Sequence, residues 1–399
     1  MLQLSFVHFK QNSYILIEGA RTADRFFIIQ SGRAQRYHET QIPGNAPAQL
    51  GPGDFVGVIP CMSGHSQTES VVALTDVTAI MVYREQYPDL IVKNTPVAMK
   101  IVRTFTREMR MLNNNLTKIN LNDSAITSPE MIFSIAKYYE QLKQLDIAVY
   151  AYYQYIKESN KGRFYNQAIS RFAELRKKTH AVYFEPTKDL VRDYPQNTMI
   201  FSEGQRGSDL FIIQDGVVKI VKVVNNSEVT LALLKRGDMF GEMALLDNGL
   251  RSASAIAYEP CKLMVVNKGN FNQMVSTQPK YIAKLTTMLA DRLWSMYRQL
   301  ANSQLQESRA KIIDMLALQL ENQKVSVTPG IAYKTDYTPK DIIELCGIPL
   351  EQESMVIMQF ENDQHCNLVD GKIVIMDVPD LIKQATFYRK QNGRNTNGM

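Results

Sequence analysis

Between positions 240 and 255 the chain gathers residue types that can hold a compact anion. The run Phe240-Gly241-Glu242-Met243-Ala244-Leu245-Leu246 is followed by Arg251-Ser252-Ala253-Ser254-Ala255. An arginine fork donates to two oxygens of one anion at once. Backbone N–H groups at the start of a short helix over 242–246 add donors, and glycine at 241 lets the main chain come close. Glu242 would repel an anion unless it accepts from a hydroxyl of the same ligand, and Arg251 offsets part of its charge. Taken singly, Glu242 and Arg251 read as a surface ion pair, which is common and weak. Their combination with the glycine, the helix and a repeated scaffold points instead to a ligand.

Other chemistries find little support. The five histidines are scattered, and no H-E-x-x-H, G-x-S-x-G or Walker-type loop occurs, so no catalytic residue is assigned and no enzyme is expected. Cys61, Cys261, Cys346 and Cys366 lie far apart without a C-x-x-C pair. They read as buried thiols of a reducing compartment, with no metal or iron–sulfur site. A net charge of +5 over 399 residues is too small for nucleic-acid or membrane binding through bulk electrostatics. The sequence shows neither a secretory signal nor an apolar run of membrane-spanning length, so a cytoplasmic protein is expected.

The scaffold is a repeat. Phe27-Ile28-Ile29-Gln30-Ser31-Gly32 recurs 184 residues later as Phe211-Ile212-Ile213-Gln214-Asp215-Gly216, and Gly53-Asp54 and Gly57 recur as Gly237-Asp238 and Gly241. Glu18-Gly19 matches Glu203-Gly204 across a one-residue gap. Two copies of one domain follow from this. Each reads as short strands punctuated by glycine turns, at 14–17 and 26–29, then at 210–213, 217–224 and 262–266, which is a β-roll pattern. A helix closes each copy, over 97–112 and 279–301. The second carries Ile282, Leu285, Leu289, Leu293, Met296 and Leu300 as one apolar stripe, expected to seam a parallel homodimer. The segment 129–176 has the spacing of a tetratricopeptide-type helix pair and reads as a helical connector. In the first copy Val58 and Gln67 replace Glu242 and Arg251, so that copy is expected to have lost the ligand.

The F-G-E-x-A-L-L…R-x-A pattern resembles the phosphate-binding cassette of cyclic-nucleotide-binding domains, found in the catabolite activator (cyclic AMP receptor) family and in protein kinase A regulatory subunits. The resemblance covers about 194–300. It implies a cyclic mononucleotide as allosteric ligand, cAMP in preference to cGMP, with its phosphate on Arg251 and its ribose 2′-OH on Glu242. Phe240, Gly241, Met243, Ala244 and Ala253 complete the cassette, and Ser252 reaches either the phosphate or a purine edge. In such relatives the following helix closes over the base, which makes stacking by Trp294 and a hydrogen bond from Ser295 an expectation. Dimer core is an equal alternative for Trp294.

Beyond position 304 the order is helix, helix, turn, helix, hairpin. Thr338-Pro339-Lys340-Asp341 caps a helix, Gly347 makes a turn, a second helix runs over 349–362, and two strands flank Asp370-Gly371. This order is that of a winged helix-turn-helix, and it resembles the C-terminal domain of catabolite-activator-type regulators. The resemblance implies double-stranded DNA as partner, through Lys340, Glu351, Gln352, Ser354 and Lys372. The family's R-E-T-x-x-R helix start is missing, because Leu350 and Met355 hold the arginine positions. From 334 to 390 six basic residues face ten acids, which is poor for phosphate neutralisation. The tail 389–399 is polar and reads as disordered. The expected fold is α+β, with a degenerate roll (1–118), a connector (119–182), a ligand-binding roll with its dimer helix (183–303) and a winged helix (304–399). The expected function is a ligand-gated transcription regulator, with a nucleotide-responsive protein-binding scaffold as the alternative.

Overall fold

The structure is a computed structural model. It describes residues 5–21, 23–38, 48–121, 129–182, 184–185, 187, 189–224, 227–277, 279–323, 325, 328–349, 352–361 and 365–396. The first copy contains β1 (Ser5–Phe9), β2 (Tyr14–Leu16), β3 (Arg25–Ser31), β4 (Ala34–Tyr37), β5 (Gln49–Leu50), β6 (Phe55–Val56), α1 (Val58–Ser63), β7 (Ser70–Ala73) and β8 (Val77–Tyr83). Helices α2 (Tyr87–Lys93) and α3 (Thr95–Leu121) follow it, and α4 (Glu130–Gln141), α5 (Leu145–Glu158) and α6 (Tyr165–Leu175) form the connector. The second copy contains β9 (Val191–Tyr194), β10 (Met199–Phe201), β11 (Asp209–Asp215), β12 (Val218–Val224), β13 (Ser227–Leu234), β14 (Met239–Phe240), α7 (Glu242–Asp247), β15 (Ser254–Ala257) and β16 (Cys261–Asn267). It ends in α8 (Lys268–Thr277) and α9 (Pro279–Ser303).

Each copy folds into two four-stranded antiparallel sheets, in the orders β1-β8-β3-β6 and β2-β7-β4-β5, then β9-β16-β11-β14 and β10-β15-β12-β13. The repeat extends to register, since Phe27 faces Met81 as Phe211 faces Val265, each residue shifted by 184. One glycine pair shows why the spacing persists. A Cβ on Gly32 would lie 2.2 Å from Asp76 O, and one on Gly216 would lie 2.2 Å from Pro260 O. Both glycines also have positive φ, so only glycine turns the chain there.

Two compact units result, 1–105 with 282–399, and 106–281. Helix α3 therefore begins in one unit and ends in the other, while α9 from Ile282 onward falls with the first roll rather than the roll it follows. All six residues of the α9 stripe are buried within the single chain. The expected intersubunit seam is thus corrected. An amphipathic helix covers its apolar stripe on the first surface available, and this chain supplies one itself.

In the unit 106–281 the connector is part of the second roll's packing. Ile132, Phe133, Tyr139, Tyr152 and Tyr155 share one core with Met199, Val221 and Ile256. Strand alternation makes this possible, because Val218 and Ile220 of β12 face the roll's interior while Val221 and Val223 face the helices.

The C-terminal segment holds α10 (Ser308–Asn322), β17 (Tyr333–Lys334), α11 (Pro339–Cys346), α12 (Glu353–Glu361), β18 (Cys366–Val369), β19 (Lys372–Ile375) and α13 (Val378–Thr396). Thr338 and Asp341 form a reciprocal capping box on α11, and Asp370 and Gly371 turn the hairpin with positive φ. The expected disordered tail is corrected over 389–396, which belong to α13, while 397–399 lie outside the described residues. Leu381 and Ala385 bury one face of this helix, and Arg389 Nη1 donates to the fully buried Asp314 at 2.6 Å. All four cysteines are buried. Among the described residues no helix is long and apolar enough to cross a membrane.

Candidate ligand site in the second roll

Arg251 is the centre of the site. Its side chain arrives from the loop before β15 and is 5% exposed. Nη1 donates to Gly241 O at 2.6 Å and Nη2 to Asp209 O at 2.8 Å, joining the cassette to the start of β11. The guanidinium lies over the Phe201 ring, 4.1 Å from its centroid. Its Nε is buried and has no hydrogen-bond partner among the described residues. Burial pulls the arginine down to about 10, against the opposing charges of Asp209 and Glu242. A buried cation met mainly by neutral carbonyls is costly, and a bound anion would offset that cost.

Small residues make the seat. A Cβ on Gly207 would fall 2.2 Å from Arg251 Nε, and one on Gly241 would fall 2.7 Å from Nη1. Gly241 also caps α7 in the left-handed conformation. Helix α7 has only six residues, so its dipole is minor and the arginine is the stronger group for an anion. Glu242 is almost fully buried beside the arginine. Ser252 Oγ is 3.5 Å from Met243 Sδ, and Ser254 Oγ accepts from Glu203 N at 2.9 Å. Phe240, Met243, Ala244 and Ala253 are all buried, with Phe240 stacked on Phe211 at 5.1 Å. A buried pair, Lys222 and Glu203 at 2.9 Å, lies in the same roll. Burial pushes Glu203 up to about 7, against the pull of Lys222.

The cassette residues thus come together, but Trp294 and Ser295 do not join them. Trp294 belongs to the first roll's unit, where it stacks on His65 at 3.9 Å and its Nε1 donates to Ser66 O at 3.2 Å. Ser295 Oγ meets Asp291 O and Asn322 Oδ1. The repeat explains the correction. Shifting Trp294 and Ser66 by 184 gives Arg110 and Leu250, and Arg110 Nη1 donates to Leu250 O at 3.1 Å. Helix α3 therefore meets the second cassette through Arg110, a residue that local sequence reading missed, and the buried Asn113 lies three positions further along the same helix. Gly207, Asp209 and Phe201 were missed as well. They carry no signal until the strands pair.

In the C-terminal segment, Lys340 and Ser354 are exposed and Gln352 is half-buried in the turn before α12. Glu351 lies outside the described residues. Lys372 Nζ already donates to Asp336 O at 2.6 Å. The exposed face of α12 presents Met355 and Met358, 48% and 63% exposed.

The cyclic nucleotide-binding domain family matches residues 6–94 and 191–278. The chain is 35% identical over 197 residues to the cyclic AMP receptor protein of Thermus thermophilus, covering 49% of this chain and 88% of that protein. It is 27% identical over 188 residues to the cAMP-activated global transcriptional regulator CRP of Pasteurella multocida, covering 47% and 89%. A solved structure of a CooA mutant from Carboxydothermus hydrogenoformans aligns with TM-score 0.42 at 18% identity, over 50% of this chain and 87% of that one. With two matched domains and this degree of identity over nearly the whole Thermus protein, the chain belongs to the cyclic AMP receptor protein family.

Proposed function

We propose that the chain is a non-catalytic, ligand-gated transcription regulator whose second roll binds one cyclic mononucleotide, cAMP in preference to cGMP. The observation that carries this reading is Arg251, a buried guanidinium with an unpartnered Nε. Arg251 would meet the cyclic phosphate, Glu242 would accept from the ribose hydroxyl, and Arg110 and Asn113 of α3 would stand over the base. The preference for cAMP rests on the named activities of the relatives. Titration calorimetry of the full chain with cAMP should give one site. Arg251→Ala should weaken binding about 100-fold, as expected for a desolvated charge-assisted contact. Two equal sites, or an unchanged affinity in the variant, would overturn the reading.

The DNA half is tested separately. Gln352, in the turn before α12, and Ser354 of α12 are the base-edge donors, and Lys340 is an exposed cation of α11. Selection from a random duplex pool at low salt with the cAMP-loaded chain should recover a site that Gln352→Ala relaxes. The exposed methionine face favours a second reading, a scaffold that docks a protein through α12. Failure to enrich any duplex while cAMP still binds would select it. A homodimer needs a surface other than the buried α9 stripe, which sedimentation with and without cAMP addresses.

A further inference from the structure

The first roll has more than a missing ligand. Position 220 of the second roll is isoleucine and position 253 is alanine, both in its apolar core. Their counterparts 184 residues earlier are Arg36 and Glu69. Arg36 shares strand parity with the buried Ala34, and Glu69, just before β7, is itself buried, so the two charges meet inside the roll. Arg36 Nε lies 2.8 Å from Glu69 Oε2, and the glutamate side chain is 5% exposed. Gln67 takes the place of Arg251, and its Oε1 lies 3.7 Å from where a Cβ of Gly57 would be. The interior thus contains a carboxylate and a guanidinium of its own where the second roll is apolar.

The mouth of this roll is covered too. Helix α9 places Trp294 on His65 and on Ser66 O, Tyr297 on His38 at 5.1 Å, Asp291 3.6 Å from His65, and Thr286 Oγ1 2.9 Å from the buried Tyr87 hydroxyl. The far end of α9 is tied to the winged helix. Asn302 Nδ2 donates to Asp314 Oδ2 at 3.1 Å and Arg298 Nη2 to Asp314 Oδ1 at 3.2 Å. We propose that the first roll is a nucleotide-independent clamp for α9, its interior filled by the Arg36–Glu69 pair and its mouth held by Trp294. The helix that carries the winged domain is then anchored by protein contacts alone. A nucleotide effect falls instead on α3, a part of the inference that rests on the reading of the second roll given above.

Hydrogen exchange on the full chain, with and without cAMP, tests this. Amides over 286–300 should be protected before nucleotide is added and stay unchanged afterwards, while those over 106–115 gain about tenfold protection. Protection over 286–300 that appears only with cAMP would overturn the clamp. A nucleotide-free comparison separates the two readings. Trp294→Phe keeps the stack on His65 but loses the bond to Ser66 O, and Trp294→Ala loses both. Exchange over 286–300 should rise in that order, by about tenfold or more in the alanine variant. If cAMP fails to bind, the second-roll reading falls while this order still decides the clamp. No change in either variant overturns it.

Discussion

The two rolls share register, turns and glycines, yet they solve opposite electrostatic problems. The second buries Arg251 against two carbonyl oxygens and leaves Nε unpartnered. The first closes its charges on each other through Arg36 and Glu69, with Gln67 in the arginine's seat. A cation that faces a carboxylate has less to gain from an anionic ligand than one that faces carbonyl oxygens. The two proposed roles, receptor and fixture, thus share one backbone design and differ in a handful of interior side chains.

The largest way to strain that comparison is to remove the fixture's anchor. Trp294→Ala deletes a nearly fully buried indole, and chemical denaturation should show a loss of about 3–5 kcal/mol. Calorimetric affinity for cAMP should stay within about twofold, because the tryptophan covers the other roll. A next step tries to convert fixture into receptor. Val58→Glu with Gln67→Arg restores both cassette charges, yet no second calorimetric site should appear while Arg36 and Glu69 fill the interior. A second site in that double variant would show that the cassette alone separates the rolls.

A smaller effect is expected at Gly207. Gly207→Ala places a methyl group against the Arg251 guanidinium, so cAMP affinity should drop about tenfold with the fold retained. The smallest concerns pH. Glu203 is raised from 4.5 to about 7 by burial, so the folded chain holds a proton that the unfolded chain has released. That contribution is fully present below pH 4.5 and is lost as pH rises through about 7. Relative to Glu203→Gln, the wild type should lose stability across this window in urea titrations. Parallel curves would place the charge of Glu203 in both states.

The cassette was legible because Gly241, Glu242 and Arg251 sit within eleven positions and their types name their chemistry. The repeat, the roll and the order of the C-terminal helices and hairpin were legible because glycine turns and capping residues are local signals. What covers each cassette was not. The bond from Arg110 to Leu250 spans 140 residues, and apolar spacing says that a helix packs without saying where. Base stacking over the second cassette and dimer core are therefore equal expectations for Trp294 from sequence, and neither finds its place on His65 and Ser66 O of the first roll. The tail was misread for a related reason. Composition from 389 onward is polar, but one arginine reaching Asp314 is enough to extend a helix already anchored by Leu381 and Ala385.

The equal offset between Trp294 on Ser66 and Arg110 on Leu250 has a consequence for how such a molecule can change over generations. In a symmetric pair of identical chains, every substitution is made twice, so an improvement at one site is forced on the other. Here each half has its own codons. A tryptophan can accumulate at one lid and an arginine at the other without compromise. Tandem duplication in one chain thus turns a symmetry constraint into two independent variables, and the divergence of the two lids is its visible trace.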